Sequence, residues 1–149
     1  FAAMHRFLPA LFGIHGAHVN CTDGRYVYIR APAKPSNSPL YNYTLMPTHM
    51  ASLFSVEELQ GLTLAEPFAF TKGVRTLKVK ADSFVPAHGM GTLLYDIAAD
   101  PEQRRPLEDE AAELLMERQL VELMEASDAP AEQYERLGLR PSFRQSSAE

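Results

Sequence analysis

The sequence predicts an α+β fold, in which a small antiparallel β-sheet carries a long C-terminal α-helix packed on one face. Residues 1–97 are rich in Gly, Pro, Tyr, Phe and Thr, which is typical of short strands joined by turns. Residues 107–137 are rich in Glu, Leu, Met and Ala, which favour helix. The chain has 149 residues, 46% of them hydrophobic and 22% charged, so it fits one globular domain. We assign this domain to residues 1–139 and expect residues 140–149 to form a disordered tail.

The first predicted element is a β-hairpin of two strands, Leu11–Thr22 and Arg25–Ala31. Asp23-Gly24 between them accepts the positive φ values of a tight turn. The second strand alternates polar and apolar residues, as a half-buried strand does. A loop at residues 31–39 follows, because its three prolines cannot maintain a sheet ladder.

Three further segments have the composition of strands: Leu40–Met46, Gly73–Val79 and Thr92–Ile97. Between the first two, Ser55 and Glu58 have the spacing of a helix capping box. This spacing predicts a short helix that ends before Gly61.

The long helix is predicted over Asp109–Ala126, with a second short helix over Pro130–Leu137 before Gly138. The residues of the long helix divide between an apolar and a charged side. The apolar side holds Ala112, Leu115, Met116, Leu120, Leu123 and Met124, and the charged side holds Glu110, Glu117, Arg118, Glu122 and Glu125.

Charge and hydropathy argue against two classes of partner. The net charge is −5, the pI is about 5.5, and no run of basic residues exceeds two. Nucleic acids and anionic membranes require a basic face, so we expect neither as a partner. The longest apolar runs, Phe7–Phe12 and Leu93–Tyr95, are much shorter than the roughly 20 residues of a membrane helix.

His15 and His18 are the first candidates for chemistry. Their spacing within a predicted strand places them on opposite faces, and no acidic residue lies near enough for a helical zinc motif. We therefore predict no metal site. Either one ring packs against Tyr26 or Tyr28 while the other hydrogen-bonds the backbone, or these histidines contact a substrate bound elsewhere.

The remaining polar motifs do not form a catalytic set. The sequence has no Gly-x-Ser-x-Gly elbow, and its glycines are wrongly spaced for a phosphate-binding loop. The acidic pairs at 57–58 and 109–110 lie at predicted helix starts, where carboxylates complement the helix dipole. His49 and His88 are predicted to be ordinary loop histidines. We expect no catalytic residue in this chain.

Two motifs resemble the C-terminal part of bacterial sulfatases of the alkaline phosphatase superfamily. Residues 23–29, Asp-Gly-Arg-Tyr-Val-Tyr-Ile, resemble a strand entry of that family, and residues 94–101, Leu-Tyr-Asp-Ile-Ala-Ala-Asp-Pro, resemble the segment before its terminal helix. Segments 41–50 and 68–73 are similar to one bacterial branch. The resemblance covers residues 10–139, with departures at Val27, at 102–103 and at 106–107.

The resemblance implies a catalytic site that lies outside this chain. Family members use a formylglycine made from a Cys/Ser-x-Pro/Ala-x-Arg motif, together with Asp and Asn ligands for calcium, all from an N-terminal α/β portion. Cys21 and Arg25 have the motif's spacing, but Asp23 replaces Pro or Ala, and the segment lies in a predicted hairpin. Calcium and formylglycine are therefore implied for a full-length enzyme, with neither a nucleophile nor metal ligands here.

Two functions remain open at this point. The chain is either the C-terminal subdomain of a sulfuric ester hydrolase, with His15 and His18 facing the substrate cleft, or a free-standing α+β binding or assembly module. The first hypothesis implies an N-terminal α/β sulfatase domain as partner and a bacterial cytoplasmic location. Since the sequence starts at Phe1 without Met or a secretory signal, we expect a processed chain or a fragment. We also expect self-association through the sheet face or an edge strand.

Overall fold

A four-stranded antiparallel sheet forms the centre of the fold in the computed structural model, which describes residues 8–49 and 51–142. Its strands are β1 at Ala10–Gly13, β2 at Val19–Thr22, β3 at Tyr26–Arg30 and β7 at Leu93–Asp96, and their order in the sheet is β1-β2-β3-β7. Cys21 pairs with Tyr28 across β2 and β3, and Tyr28 pairs with Leu94 across β3 and β7, so these three side chains share one face.

The predicted strand Leu11–Thr22 is wrong, because this segment is itself a hairpin of β1 and β2. The chain reverses between Ile14 and His18, where Gly16 has a φ of +72°. A Cβ at Gly16 would lie 2.8 Å from the side chain of Ser83, so both the turn and its packing require glycine. The hairpin predicted at Asp23-Gly24 is present between β2 and β3, and Gly24 has a φ of +94°.

A second antiparallel sheet contains three strands in the order β4-β6-β5. These are β4 at Tyr41–Thr44, β5 at Thr63–Ala65 and β6 at Thr76–Lys80. The strands predicted at 40–46 and 73–79 correspond to β4 and β6, whereas the three-residue β5 was not predicted. The α+β class is confirmed, with the strands divided between two sheets instead of one.

The helices follow the predicted start and stop residues. The capping box is present at helix α1, Val56–Gln60, between Ser55 and Glu58. Helix α3 spans Glu110–Ala126, and the side chain of Asp109 accepts from the Ala112 N–H at 3.0 Å. Helix α4 spans Ala131–Leu137 and ends at Gly138 in the left-handed conformation. A 3-10 helix at Ala69–Thr71 and a short helix α2 at Ala87–Met90 were not predicted.

The core lies between α3 and one face of the four-stranded sheet. Helix α3 buries Ala112, Met116, Leu120, Val121 and Met124. Leu115 was predicted on this face but is 57% exposed, while Val121 is buried instead. The sequence pattern predicted the width of the apolar face of α3. The centre of that face was not predicted, because it depends on how the helix is rotated against the sheet. Burial of the face provides the main stabilisation of this layer.

Arg30 connects β3 to helices α3 and α4. Its Nη1 donates to Glu117 Oε2 of α3 at 2.7 Å and to the Tyr28 hydroxyl at 3.0 Å, and its Nε donates to the Leu137 carbonyl of α4 at 3.0 Å. Burial raises the pKa of Tyr28 to about 12, despite the opposing effect of Arg30. The Arg30 guanidinium therefore holds strand β3, helix α3 and the end of helix α4 together.

Both ends of the chain lie partly outside the described residues. These undescribed residues include Phe7, where the predicted apolar run begins, and residues 143–149 of the predicted tail. Within that tail Pro141 is buried, and the Ser142 N–H donates to Glu125 Oε1 at 2.7 Å. Residues 141 and 142 of the predicted tail therefore pack against the rest of the chain.

Candidate functional site

His15 and His18 lie in the turn between β1 and β2, so their predicted placement on opposite faces of a strand is wrong. His18 is only 8% exposed, and its Nε2 lies 3.0 Å from the Gly91 carbonyl oxygen. The interpretation that one of the two rings hydrogen-bonds the backbone is confirmed. His15 is exposed at the tip of the same turn and is the histidine that a ligand can reach.

The turn that carries His15 is fixed by side chains from three other parts of the chain. The Gly16 carbonyl accepts from Asn37 Nδ2 at 2.6 Å and from Ser83 Oγ at 2.8 Å. The next carbonyl, that of Ala17, accepts from Arg136 Nη1 at 3.1 Å. These bonds satisfy a buried loop backbone and hold His15 in a defined position.

Arg136 of α4 is the most unusual charged residue in this neighbourhood. It is 3% exposed, and its guanidinium donates only to neutral oxygens. Besides Ala17, these are Asn37 Oδ1 at 2.8 Å and Gln133 Oε1 at 3.0 Å. Among the described residues, no carboxylate oxygen lies within 4.0 Å of it. Buried charges are normally paired, so this cation stands out.

The burial of Arg136 affects the pKa of Arg136 itself, and its charge affects the pKa of His15. Burial lowers the pKa of Arg136. Partial cover of the His15 ring, and then the positive charge of Arg136, lower the pKa of His15. Both effects favour the neutral form of the His15 imidazole, in which one ring nitrogen donates and the other accepts.

A cleft of about 590 Å³, with both polar and apolar walls, borders this turn. Its walls are residues 35–41 and residues 80–86, so it includes Asn37 and Ser83, which hold Gly16. Lys80 and Asp82 supply its charges, and Phe84 is 96% exposed beside it. The cleft is open, with room for a small polar molecule.

The sheet face opposite α3 carries an open apolar groove of about 540 Å³. We call it the outer groove. Its lining residues include Phe12, Ile14, Asn20, Ile29, Met90 and Leu93. Asn20 Oδ1 is buried in the middle strand and has no hydrogen-bond partner among the described residues. Apolar surface next to an unsatisfied acceptor is expected where another molecule docks.

Cys21 cannot act as a nucleophile in this arrangement. Its side chain is 0% exposed beneath α3, and its Sγ lies 3.6 Å from the Met116 carbonyl oxygen as a donor. Burial, and then the charge of Asp23, raise the pKa of the thiol to about 12. A reactive cysteine needs an accessible thiolate, and neither condition holds here.

The motif residues at 23–25 and 96–100 are used to build turns. Asp23 Oδ1 accepts from the N–H groups of Arg25 at 2.8 Å and Tyr26 at 2.7 Å, which closes the β2–β3 turn. Asp96 Oδ1 accepts from the Ala98 N–H at 3.0 Å, and its Oδ2 lies 2.9 Å from Arg25 Nη2. The two motifs therefore contact each other directly.

His49 and His88 each have a hydrogen-bond partner. His49 lies in a loop as predicted, whereas the predicted loop placement of His88 is wrong, because His88 lies in helix α2. His49 Nε2 lies 2.7 Å from Glu58 Oε1, and His88 Nδ1 donates to the Pro32 carbonyl at 2.8 Å. Within residues 8–49 and 51–142, no three His, Cys, Asp or Glu side chains are arranged to hold a metal ion. No helix in the same residues is long and apolar enough to cross a membrane.

Sequence reasoning missed Arg136 and Asn37, the residues that fix the turn. Arg136 lies between the buried Tyr134 and Leu137 of α4, a position that indicates burial once the helix face is known. The partner carbonyl at Ala17 lies 119 residues away. No local pattern predicts that contact, because it depends on how α4 packs against the β1–β2 turn.

Comparisons of the chain with known protein families, with curated proteins and with solved structures return no match.

Proposed function

We propose that this chain is the C-terminal subdomain of a sulfatase-like sulfuric ester hydrolase, where it supports a preceding α/β catalytic domain and borders the substrate cleft. The observation that carries the proposal is the contact between the two resembling motifs. They are separated by about seventy residues in sequence, yet they lie on the neighbouring strands β3 and β7 and are joined by Arg25 and Asp96. Two weak motifs that form one structural unit are more specific than either motif alone.

The outer groove supports the docking part of the proposal. Helix α3 covers the other face of the sheet, whereas Phe12 and Ile14 remain exposed. A domain that docks here would cover this apolar surface and could offer a donor to Asn20 Oδ1 after a small side-chain rearrangement. A free-standing assembly module would use the same surface, so the two functions differ in what covers the groove.

The chemistry of ester hydrolysis is assigned to the preceding domain. The described residues of this chain do not fit a calcium site, which needs six or more converging oxygens, and Cys21 is buried. Formylglycine and calcium therefore belong to the rest of the enzyme in this proposal. The contribution of this chain is to hold that domain and to present the turn of His15 to the cleft.

The coding sequence upstream of Phe1 provides the first test. The proposal requires a Cys/Ser-x-Pro/Ala-x-Arg motif and acidic metal ligands in the same reading frame. A start codon immediately before Phe1 would contradict it and favour the assembly module.

The second test measures hydrolysis of 4-nitrophenyl sulfate by the whole reading-frame product and by this chain alone. We expect turnover only with the whole protein. Replacing both Phe12 and Ile14 by Ser should lower its melting temperature and activity, because docking is weakened. The matched control is Leu115→Ser, which is also exposed but lies on α3. Equal effects of the two changes would contradict docking at the outer groove.

A further inference from the structure

We propose that Asn37 is a positioning residue, whose amide links the buried Arg136 to the Gly16 carbonyl and so fixes the shape of the β1–β2 turn. The proposed function places this turn at both the docking surface and the substrate cleft. The hydrogen bonds that fix the turn lie within this chain, whereas their effect on a docked catalytic domain rests on the proposed function.

The β1–β2 turn contributes to two surfaces of the chain. His15 is exposed at its tip. Residues in and beside the turn line the outer groove, namely Gly13, Ile14, Ala17 and His18. Within the turn, the Ala17 N–H donates to the Ile14 carbonyl at 3.1 Å, whereas the carbonyls of residues 16 and 17 accept from other parts of the chain. A residue that fixes these carbonyls therefore also fixes the surface that a partner would meet.

The two ends of the Asn37 amide have different partners. Arg136 can only donate and the Gly16 carbonyl can only accept, so Oδ1 of Asn37 faces the first and Nδ2 faces the second. The distances are 2.8 Å from Oδ1 to Arg136 Nη1 and 2.6 Å from Nδ2 to the Gly16 oxygen. Ser83 Oγ donates to the same oxygen at 2.8 Å, so this oxygen is held by two donors. An ionised carboxylate at position 37 could accept from Arg136 but could not donate to Gly16.

The amide at position 37 favours the position of the turn over the balance of charge. A carboxylate there would pair with the buried Arg136, and buried cations are normally paired in this way. The backbone of Asn37 has a φ of +47°, a conformation that Asn and Asp both adopt more readily than most other residues with a Cβ. The backbone conformation therefore does not account for the neutral side chain, whereas the bond to the Gly16 carbonyl does.

The first test uses Asn37→Asp in this chain at pH 7, where the new carboxylate is ionised. The readout is hydrogen exchange of the Ala17 amide, measured by NMR. The Tyr26 amide, which donates to Asp23 Oδ1 at 2.7 Å in the other hairpin turn, is the internal reference. We expect the Ala17 amide to exchange about tenfold faster, as for the loss of one hydrogen bond, and the Tyr26 amide to remain unchanged.

Two further variants make this test decisive. The matched control, Lys34→Gln, changes the charge of the same loop by the same amount at an exposed residue and should leave the exchange of Ala17 unchanged. Asn37→Gly accepts the same φ and removes the amide, so it decides if Asn37→Asp does not fold, and it should also accelerate the exchange of Ala17 about tenfold. Unchanged exchange of Ala17 in the folded variants would overturn the proposal. Equal acceleration at Ala17 and Tyr26 would also overturn it, because a general loss of stability loosens every turn.

The second test measures hydrolysis of 4-nitrophenyl sulfate by the whole reading-frame product. Asn37→Asp should lower its kcat/KM about tenfold, because a displaced turn no longer borders the cleft correctly, whereas Lys34→Gln should not. Faster exchange at Ala17 with an unchanged kcat/KM would overturn the role of the turn in the active enzyme. If the unchanged whole protein hydrolyses no sulfate ester, the proposed function fails, whereas the exchange of Ala17 still decides whether Asn37 positions the turn.

Discussion

At the scale of single residues, the β2–β3 turn shows why particular side chains are required. Thr22 Oγ1 accepts from the Gly24 N–H at 3.1 Å, and Asp23 accepts from the next two N–H groups. Gly24 itself has a φ of +94°, a conformation that residues with a Cβ rarely adopt. The turn depends on a glycine and on the polar residues that satisfy its backbone.

Replacing Gly24 by Val should destabilise the domain by about 1–2 kcal/mol, because a β-branched residue is strained at this φ. The free energy of unfolding is measured by urea denaturation. Gly61→Ala is the control, since Gly61 has a φ of −104° and a Cβ there meets nothing within 4 Å. If both variants were equally stable, the turn would not require a glycine.

The Cys21 thiol should be unreactive in the folded chain and react fully after unfolding. It is buried, and its pKa is raised to about 12, so the thiolate is scarce at pH 8. A colorimetric thiol reagent with and without denaturant measures this difference. Cys21→Ala should fold and cost on the order of 1 kcal/mol for the small cavity. Rapid labelling of the native chain, or formylglycine at this position, would contradict the structural role.

At the scale of elements, a charged cluster joins the three-stranded sheet to α4. Glu132 of α4 accepts from the Tyr43 hydroxyl of β4, and Lys78 Nζ of β6 lies 2.5 Å from its Oε1. Lys78 also lies over the Tyr41 ring, 4.3 Å from its centroid. Burial alone would raise the pKa of Glu132, but the hydrogen bonds from Lys78 and Tyr43 outweigh it and lower the pKa.

This cluster should make stability depend on pH below about 4.5, the ordinary pKa of a glutamate. The folded chain binds a proton at Glu132 less readily than the unfolded chain. The stabilisation is therefore complete above that value and is lost as the pH falls through the lowered pKa of the folded state. We expect Glu132→Gln to reduce stability by about 1 kcal/mol at pH 7 and to flatten this part of the pH profile.

Thermal unfolding between pH 3 and pH 7 measures the effect. Glu122→Gln is the control, because Glu122 is an exposed glutamate on helix α3. If the Glu132 and Glu122 variants had the same pH profile, the link between β4, β6 and α4 would not contribute to acid sensitivity.

The elements also show which parts of the structure were predictable from sequence. Helix α3 was predicted within one residue, because capping and composition are local properties. The β1–β2 turn was missed, because residues 14–18 follow the surrounding strand pattern and only their contacts with Asn37, Ser83 and Arg136 reveal a turn. For the same reason His15 was proposed as a ligand contact, whereas Arg136, which donates to the Ala17 carbonyl of the same turn, was not predicted to lie there. Local chemistry predicts helices and caps, but a site assembled from distant loops requires tertiary contacts.

At the scale of the whole molecule, helix α3 covers one face of the four-stranded sheet, whereas the described residues leave Phe12 and Ile14 exposed on the other face. We expect the isolated chain to self-associate weakly through the outer groove, since exposed apolar surface of this kind favours association. Sedimentation at increasing concentration measures the average mass. The double change of Phe12 and Ile14 to Ser should give a monomer, whereas Leu115→Ser should not alter association. A monomeric unchanged chain at high concentration would contradict this expectation.

The order of strands in the main sheet has a consequence for synthesis on the ribosome. Strand β3 finds its second neighbour only in β7, and the helix that covers Cys21 and Tyr28 comes later still. About 80 residues separate the end of β3 from the start of α3, so translation at roughly 5–20 residues per second leaves that face uncovered for on the order of 4–16 s. During this interval the nascent β1–β3 segment has the exposed strand edge and apolar face that molecular chaperones bind.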